Sequence, residues 1–550
     1  MKILKNAGKF EVLTKPENVI KDITTAARTC YQSQDKSTPE SDKKLVENLM
    51  KREHFAMFEF SHMNVRFSDV CRGFTHEMVR HRLASFAQES TRYNCYLKTK
   101  IPLGFKKIDS KKRHKNCKLT VEEEKWCCEK YKEGYSLSEL SNAVKIDDTS
   151  VYRLLKYYNV ELRKNDAFSK GINDDYFKNI DSNEKAYLIG FIAADGSLRN
   201  QIIIYQARES FNILSYFLRE INPNGNLCFS ESHNEKSQDM FSLFIGSKNN
   251  INYLNKLGIP NGKKSKTLNI QNILNNIDEK YWSYFFRGLF DGDGHVSANG
   301  TKICLSGNEQ TCKIFKNIVQ KKVGIQNNVK IYKDENKNCK IYYSSLSDTK
   351  LILNWLYSEP LPLFFAKKMF RASKNCSKVL NVLKDSVYLY AKEFGFIIDD
   401  RFINEHSLND YLFSMYWSQR NYKTLSEAGW KPEDARQVLP IATRSQIVVG
   451  ANIREWRHIF HMRCDHFAHW EIRAVMLNLL RWCQENIPLV FDDFKFFTTK
   501  DGKEYARRII PARKIANMIE ENEDIKEIID NLTVNNQLKM FKHLQSIHWR

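Results

Sequence analysis

The sequence predicts a chain of α+β class in which one globular framework is split by a second, basic α+β domain. Three observations predict it. Residues 1–96 alternate helical and strand periodicities, and beyond about 376 the chain becomes less lysine-rich and takes on a helical, Trp- and Arg-containing character. A nine-residue segment at 188–196 recurs at 286–294, 98 residues later. Charge is segregated: residues 97–376 hold 45 Lys+Arg against 30 Asp+Glu, leaving 41 against 35 for the flanks. At 550 residues the chain exceeds what one core supports. Four segments are expected: 1–96 and 377–550 as the framework, 97–165 as connector and small helical unit, and 166–376 as the repeated domain.

Composition narrows the function classes. A hydrophobic fraction of 42% with 12% aromatic excludes a disordered chain. The formal charge of +21 and pI near 9.2 point to a polyanionic partner, mainly for the middle of the chain. Thirteen cysteines include no Cys-x-x-Cys pair, and adjacent Cys127 and Cys128 lack zinc-ligand companions, so thiols in a reducing cytosol are expected. The first residues carry no apolar signal core and no run of about eighteen apolar residues occurs, so a cytoplasmic protein free of membranes is expected.

In chain order, 16–28 and 41–51 have helical periodicity, 63–67 alternates as a strand, and 72–84 is helical again. A basic connector follows, with Lys106, Lys107, Lys111, Lys112, Arg113 and Lys115 close together. Short amphipathic helices are expected over 119–163, then helices alternating with strands such as 201–205 and 340–343 over 180–372. Within 119–163, Ser136-Leu137-Ser138-Glu139-Leu140 and Asp148-Thr149-Ser150-Val151-Tyr152-Arg153-Leu154-Leu155-Lys156 read as a helix-turn-helix, or as a packed helical pair with no DNA role.

The repeat pairs Leu188-Ile189-Gly190-Phe191-Ile192-Ala193-Ala194-Asp195-Gly196 with Phe286-Arg287-Gly288-Leu289-Phe290-Asp291-Gly292-Asp293-Gly294. Each copy is an apolar helix whose Gly permits close packing against its twin and whose last residue is a carboxylate. Side by side, such helices bring Asp195 and Asp293 together as hard oxygen ligands for Mg²⁺, which activates water and stabilises a leaving phosphodiester oxygen. A calcium loop starting at Asp291 needs an acidic twelfth residue and meets Lys302 instead. Lys264, Lys266, Lys321 and Lys322 are candidate phosphate or active-site contacts.

These residues resemble the LAGLIDADG homing endonucleases in their single-chain, two-motif form, over about 180–372. The resemblance implies pseudo-symmetric αββαββα halves whose sheets lie in the major groove of double-stranded DNA, with Asp195 and Asp293 as catalytic metal ligands. Ala193 replaces the earlier acidic residue of the first copy.

In the flanks, Arg80-His81-Arg82 packs cationic groups into one turn, followed by Ser90 and Arg92. Such clustering suits phosphate groups, or is a solvated basic face. Arg-His-Arg followed after seven residues by Ser is the signature of flavin-dependent thymidylate synthases, which the chain resembles over about 1–96 and 390–495, including Ala26-Ala27-Arg28 and Ala435-Arg436-Gln437-Val438-Leu439-Pro440. The resemblance implies a homotetramer that methylates dUMP, taking carbon from methylenetetrahydrofolate and reducing power from NADPH through FAD. It places Arg80, His81, Arg82, Gln88, Asn452, Arg454 and His458 on FAD, and Glu77, Arg80, Ser90, Arg92, Arg436 and Arg463 on dUMP. Arg463 takes the catalytic role, its guanidinium stabilising negative charge on the uracil ring. His54 and Glu59 match a His-x-x-x-x-Glu stretch near the flavin; Ala56 stands where a hydroxyl residue is common and Phe60 where His is usual.

Cys95 and Asn375-Cys376 supply the end residues of a self-splicing intein, but 96–118 is too short for a splicing domain and 119–163 reads as a DNA-binding piece. An in-frame insertion in a surface loop is therefore expected, since loop-closure entropy grows slowly with length. The alternative is an active endonuclease flanked by a broken synthase. Retention of Arg80, Arg92, Arg436, Arg454 and Arg463 favours a chain with both activities.

Overall fold

The computed structural model describes residues 8–90, 121–133, 135, 137–144, 146, 148–158, 160, 172–223, 225, 227–230, 240–262, 264, 267–333, 338–487 and 489–509. The chain divides into two compact units: the first comprises 1–94, 395–398 and 440–550, the second 95–394 and 399–439.

The first unit is built on a four-stranded antiparallel sheet in the order Lys9–Thr14, His62–Cys71, Arg444–Asn452, Ser85–Gln88. Its third strand comes from the far end of the chain. Val449 pairs with Val65 on one side and with Phe86 on the other, so the two flanks complete one sheet. Met63, Val65 and Phe67 are buried while His62 and Arg66 are exposed, the period-two pattern of a strand covered on one face. Helices Val19–Tyr31, Ile453–Arg463 and Trp470–Asn486 contribute Ile23, Trp456, Ile459 and Leu480 to the same core. The buried Trp456 indole satisfies its N–H on the Met63 carbonyl at 2.9 Å. Arg28, on the first helix, donates to Asp42 of helix Pro39–Lys51 at 2.8 Å, a buried pair that fixes those two helices.

One expected helix is shorter than its periodicity suggested. The 72–84 segment is helical only over Arg72–Met78, and 79–84 turns back toward the strand Ser85–Gln88. The turn closes through the His81 N–H on the Met78 carbonyl at 3.1 Å. It buries His81 while leaving Arg80 and Arg82 exposed, a division of neighbouring polar side chains that no apolar periodicity reports.

The second unit contains helices Val121–Lys132, Leu137–Val144 and Asp148–Tyr157 around a small core of Cys128, Tyr131, Leu140, Val151 and Leu155. The repeated region then runs helix, two strands, helix, two strands, helix, twice. The first pass is Asn183–Asp195, Gly196–Leu198, Ile202–Ala207, Phe211–Ile221, Leu227–Ser230, Met240–Ile245 and Lys248–Leu257. The second is Trp282–Asp293, Gly294–Val296, Ile303–Gly307, Glu309–Ile318, Ile331–Lys333, Cys339–Tyr343 and Leu346–Leu356. Both sheets are antiparallel with the same strand order, first, second, fourth, third.

The two motif helices touch backbone to backbone. A Cβ built on Gly190 would sit 2.0 Å from the Phe285 carbonyl oxygen, and one on Gly288 would sit 2.0 Å from that of Tyr187. These contacts are related by the repeat, since Phe285 and Tyr187 each precede their own motif glycine by three residues.

Helices Ser377–Glu393 and Leu408–Glu427 belong to this second unit, so the packing boundary differs from the expected one at 376/377. The reason is visible in single contacts: Tyr390 shares a hydrogen bond with the buried Ser215 at 2.7 Å, and the Phe211 and Tyr416 rings meet edge to face at 4.7 Å. A fall in lysine content marks a change in surface and carries no information about where an apolar face docks. Among the described residues, no helix is long and apolar enough to cross a membrane.

Candidate functional site

Each unit carries a cluster of sequence-predicted residues. In the first, strand Arg444–Asn452 leads into helix Ile453–Arg463, and Asn452 caps that helix by accepting the Glu455 N–H at 2.8 Å. The cap sets the direction of a helix whose last residue is Arg463. Arg463 Nε donates to His81 Nε2 at 3.0 Å, Nη2 donates to the Glu77 carbonyl at 2.8 Å, and Nη1 pairs with the Glu77 carboxylate. Residues from opposite ends of the sequence thus meet in one constellation. Burial pushes the Arg463 guanidinium below its usual range and Arg80 adds to this, while Glu77 opposes it.

The His81 ring is buried and lies edge to face with that of His458 at 5.6 Å. Burial lowers the exposed-side His458 below the ordinary imidazole value, with Glu455 opposing. Gln88 donates to the Thr75 hydroxyl at 2.7 Å, and Arg454 pairs with Glu59 at the surface. Arg80 and Arg82 are exposed and Ser90 is half-buried, two residues beyond the strand Ser85–Gln88. Arg92 lies outside the described residues, and Arg436 lies in the second unit, where its Nε donates to the Glu433 carbonyl at 3.1 Å. Exposed guanidiniums beside a half-buried one form a donor set chemically suited to the phosphates of a dinucleotide and a nucleotide.

In the second unit, Asp195 and Asp293 are the last residues of the two touching motif helices. Gln206 donates to Asp195 Oδ2 at 2.6 Å. Burial raises Asp195, and raises Asp293 to about 6 with a further push from the Asp195 charge. Two carboxylates that repel each other across a helix pair fit a divalent cation, which would relieve that repulsion.

Two lysines complete the centre. Lys264 Nζ donates to the carbonyls of Ile192, Ala193 and Ala194 at 2.9, 3.1 and 2.7 Å. Lys368 Nζ donates to those of Phe290, Asp291 and Gly292 at 2.9, 2.5 and 3.3 Å. Each ammonium therefore caps the carboxyl end of one motif helix, where the backbone dipole favours a cation. Burial lowers both to about 8, with the aspartates opposing. Lys264 was legible as a candidate; Lys368 and Gln206 were not, because no local pattern ties them to the motifs. Lys321 and Lys322 are exposed, Lys322 pairing with Glu279, and Lys266 lies outside the described residues.

Asp291, the extra acid of the second copy, is a buried packing residue. It accepts from the hydroxyls of Tyr187 and Tyr357, both at 2.8 Å, and burial raises its carboxyl above the usual range.

Comparison with known proteins matches residues 11–167 and 374–489 to the family model described as thymidylate synthase complementing protein. Residues 282–356, containing the second motif copy, match a LAGLIDADG-like domain. A flavin-dependent thymidylate synthase of Corynebacterium glutamicum is 49% identical over 72 residues, 13% of this chain and 29% of that protein. The enzyme of the same description from Geobacter sulfurreducens is 43% identical over 72 residues, 31% of its length. The chain thus spans under a third of the length of these curated relatives. A thymidylate synthase X from Helicobacter pylori, solved with FAD and dUMP, overlaps 88% of this chain and 98% of its own at 10% identity and a TM-score of 0.31. That overlap is too loose to bear on the fold.

Proposed function

The chain belongs to the flavin-dependent thymidylate synthase family, interrupted by a LAGLIDADG-like domain, and on that premise we propose that it unites two activities. The first unit methylates dUMP to dTMP with FAD, NADPH and methylenetetrahydrofolate. The second cuts double-stranded DNA at a specific site with Mg²⁺. The observation that carries the synthase reading is the bonding of Arg463 to His81 and Glu77. A broken enzyme has no reason to keep residues from two distant segments in mutual contact.

In this reading Arg463 holds the pyrimidine and stabilises negative charge as it develops there, so that C5 becomes nucleophilic without a cysteine adduct. Glu77 orients the guanidinium, and Arg80 and Ser90 neutralise or hydrogen-bond the nucleotide; Arg92 and Arg436 are assigned to it by the family resemblance alone. Arg82, Gln88, Asn452, Arg454 and His458 hold the flavin, with Arg80 shared between the two ligands. When bound, FAD supplies the hydride that reduces the transferred one-carbon unit to a methyl group. Family membership implies a homotetramer.

For the second unit, Asp195 and Asp293 would hold Mg²⁺, which would supply Lewis-acid activation of water and stabilisation of the leaving oxygen. Lys264 and Lys368, lowered to about 8, hold positive charge beside the phosphate that is cut. The basic stretch 97–376 and the helices Leu137–Val144 and Asp148–Tyr157 engage the DNA.

Purification of the full-length protein, with its absorbance spectrum and intact mass, tests this directly. A full-length flavoprotein that forms dTMP and nicks DNA with Mg²⁺ is expected. A colourless protein that cuts DNA would reduce the flanks to remnants. A shortened flavoprotein lacking the middle would establish excision and overturn the two-activity reading.

A further inference from the structure

His81 stands in the motif assigned to the flavin, yet both of its ring nitrogens face groups of this chain. Nε2 accepts the Arg463 Nε–H at 3.0 Å. Nδ1 faces Glu455 Oε1 at 3.4 Å, with the His81 and Glu455 side chains 4% and 5% exposed. An arginine Nε–H can only donate, so Nε2 carries the lone pair and, in the neutral ring, Nδ1 carries the proton. A carboxylate lies 3.4 Å from that nitrogen, with almost no water around the pair.

The tautomer also decides against a metal. A nitrogen of His81, one of His458 and an oxygen of Glu455 lie within 4.8 Å of one another. A protonated Nδ1 has no lone pair to give, so the cluster reads as a close His81–Glu455 contact with a neighbouring imidazole.

Glu455 and Arg463 lie on one helix, eight residues apart, so they share a face about two turns apart. His81, from the front of the chain, bridges them. We propose that Glu455 and His81 are positioning residues: the carboxylate fixes the imidazole tautomer, and the imidazole fixes the Arg463 guanidinium from its Nε side while Glu77 holds the other edge. Three of the guanidinium's donors are then engaged, and one N–H on each terminal nitrogen remains for the pyrimidine. Without the His81 acceptor the fork keeps its charge and loses its angle. This inference rests on the synthase reading.

The test uses the full-length protein with FAD, comparing Glu455→Gln, Glu455→Met, His81→Ala and the Glu455→Met/His81→Ala double variant. Flavin content and thermal midpoint establish folding; dTMP turnover and dUMP affinity by equilibrium dialysis are the readouts. Glu455→Gln keeps an oxygen that accepts the Nδ1 proton and is expected within about threefold of wild-type turnover. Glu455→Met keeps the volume and removes the acceptor; turnover is expected to fall about 10- to 100-fold, with a much smaller change in dUMP affinity. The double variant is expected to be no worse than His81→Ala, because Glu455 acts only through His81. Glu455→Ala provides the same comparison if Glu455→Met does not fold. A wild-type protein that makes no dTMP overturns the synthase reading itself. An active wild type with unimpaired Glu455→Met, with Glu455→Gln as damaged as Glu455→Met, or with losses that multiply in the double variant overturns the relay alone.

Discussion

Glu471 is the side chain of the first unit most out of place by chemistry. It is fully buried, its Oε1 accepts the Cys71 N–H at 2.9 Å, the Cys71 thiol lies beside it, and its Oε2 has no hydrogen-bond partner among the described residues. Burial raises the carboxyl to about 7. An acid whose folded value lies above its unfolded value binds more proton when folded, so stability is greatest below about pH 4.5, declines as pH rises, and levels off above about 7. Glu471→Gln should therefore be stabilised at pH 8 by up to about 3 kcal/mol and nearly neutral at pH 5, read from denaturant midpoints of the first unit's fluorescence transition. Equal effects at both pH values would mean the carboxyl titrates normally. At Arg463 the expected change is in chemistry. Arg463→Lys keeps a charge but cannot meet His81 and Glu77 with one planar fork. Turnover to dTMP should fall by about 10²- to 10³-fold with flavin content unchanged.

The motif helices make the element-scale case. Gly190 and Gly288 allow two helices to meet at their backbones, and that contact places Asp195 and Asp293 together. Gly288→Ala would put a methyl carbon 2.0 Å from the Tyr187 carbonyl oxygen, where no flexible side-chain end is available to move. We expect destabilisation of roughly 3 kcal/mol or more and loss of Mg²⁺-dependent cleavage, with the flavin of the first unit retained. Retained cleavage would mean the helices tolerate a wider gap. This pair was legible in the sequence because Gly and Asp recur at the same offsets in two apolar helices. Of the lysines that cap those helices, Lys264 was one of several candidates and Lys368 was not named: both arrive from segments far along the chain, and lysine is too common for its position to signal a role alone. In the first unit, the Arg80-His81-Arg82 cluster was legible as chemistry but not as geometry. Periodicity extended the helix through it, whereas a turn buries His81 and exposes its neighbours. Glu455 gave no sequence signal, being one acid in a helix. Only the folded contact shows that it faces His81.

At the scale of the whole molecule, the two centres use different chemistry in different compact units. The first is a set of guanidiniums, an imidazole and Glu77. The second pairs Asp195 with Asp293, whose carboxyl is raised by burial and further by the Asp195 charge. Charge divides in the same way, with 45 Lys+Arg against 30 Asp+Glu in residues 97–376 and near balance elsewhere. Chelation should therefore separate the activities. With excess EDTA, DNA cleavage is expected to vanish and dTMP formation to continue at its original rate. Asp195→Asn with Asp293→Asn should reproduce that pattern in the presence of Mg²⁺. Raising salt from about 50 to 200 mM should weaken DNA binding by about 10³-fold or more if several phosphates are neutralised, while dTMP formation, resting on a few partly enclosed contacts, changes far less. Measuring both products from one preparation decides the matter. Loss of dTMP on chelation would place a metal in the synthase centre, contrary to the tautomer assigned to His81.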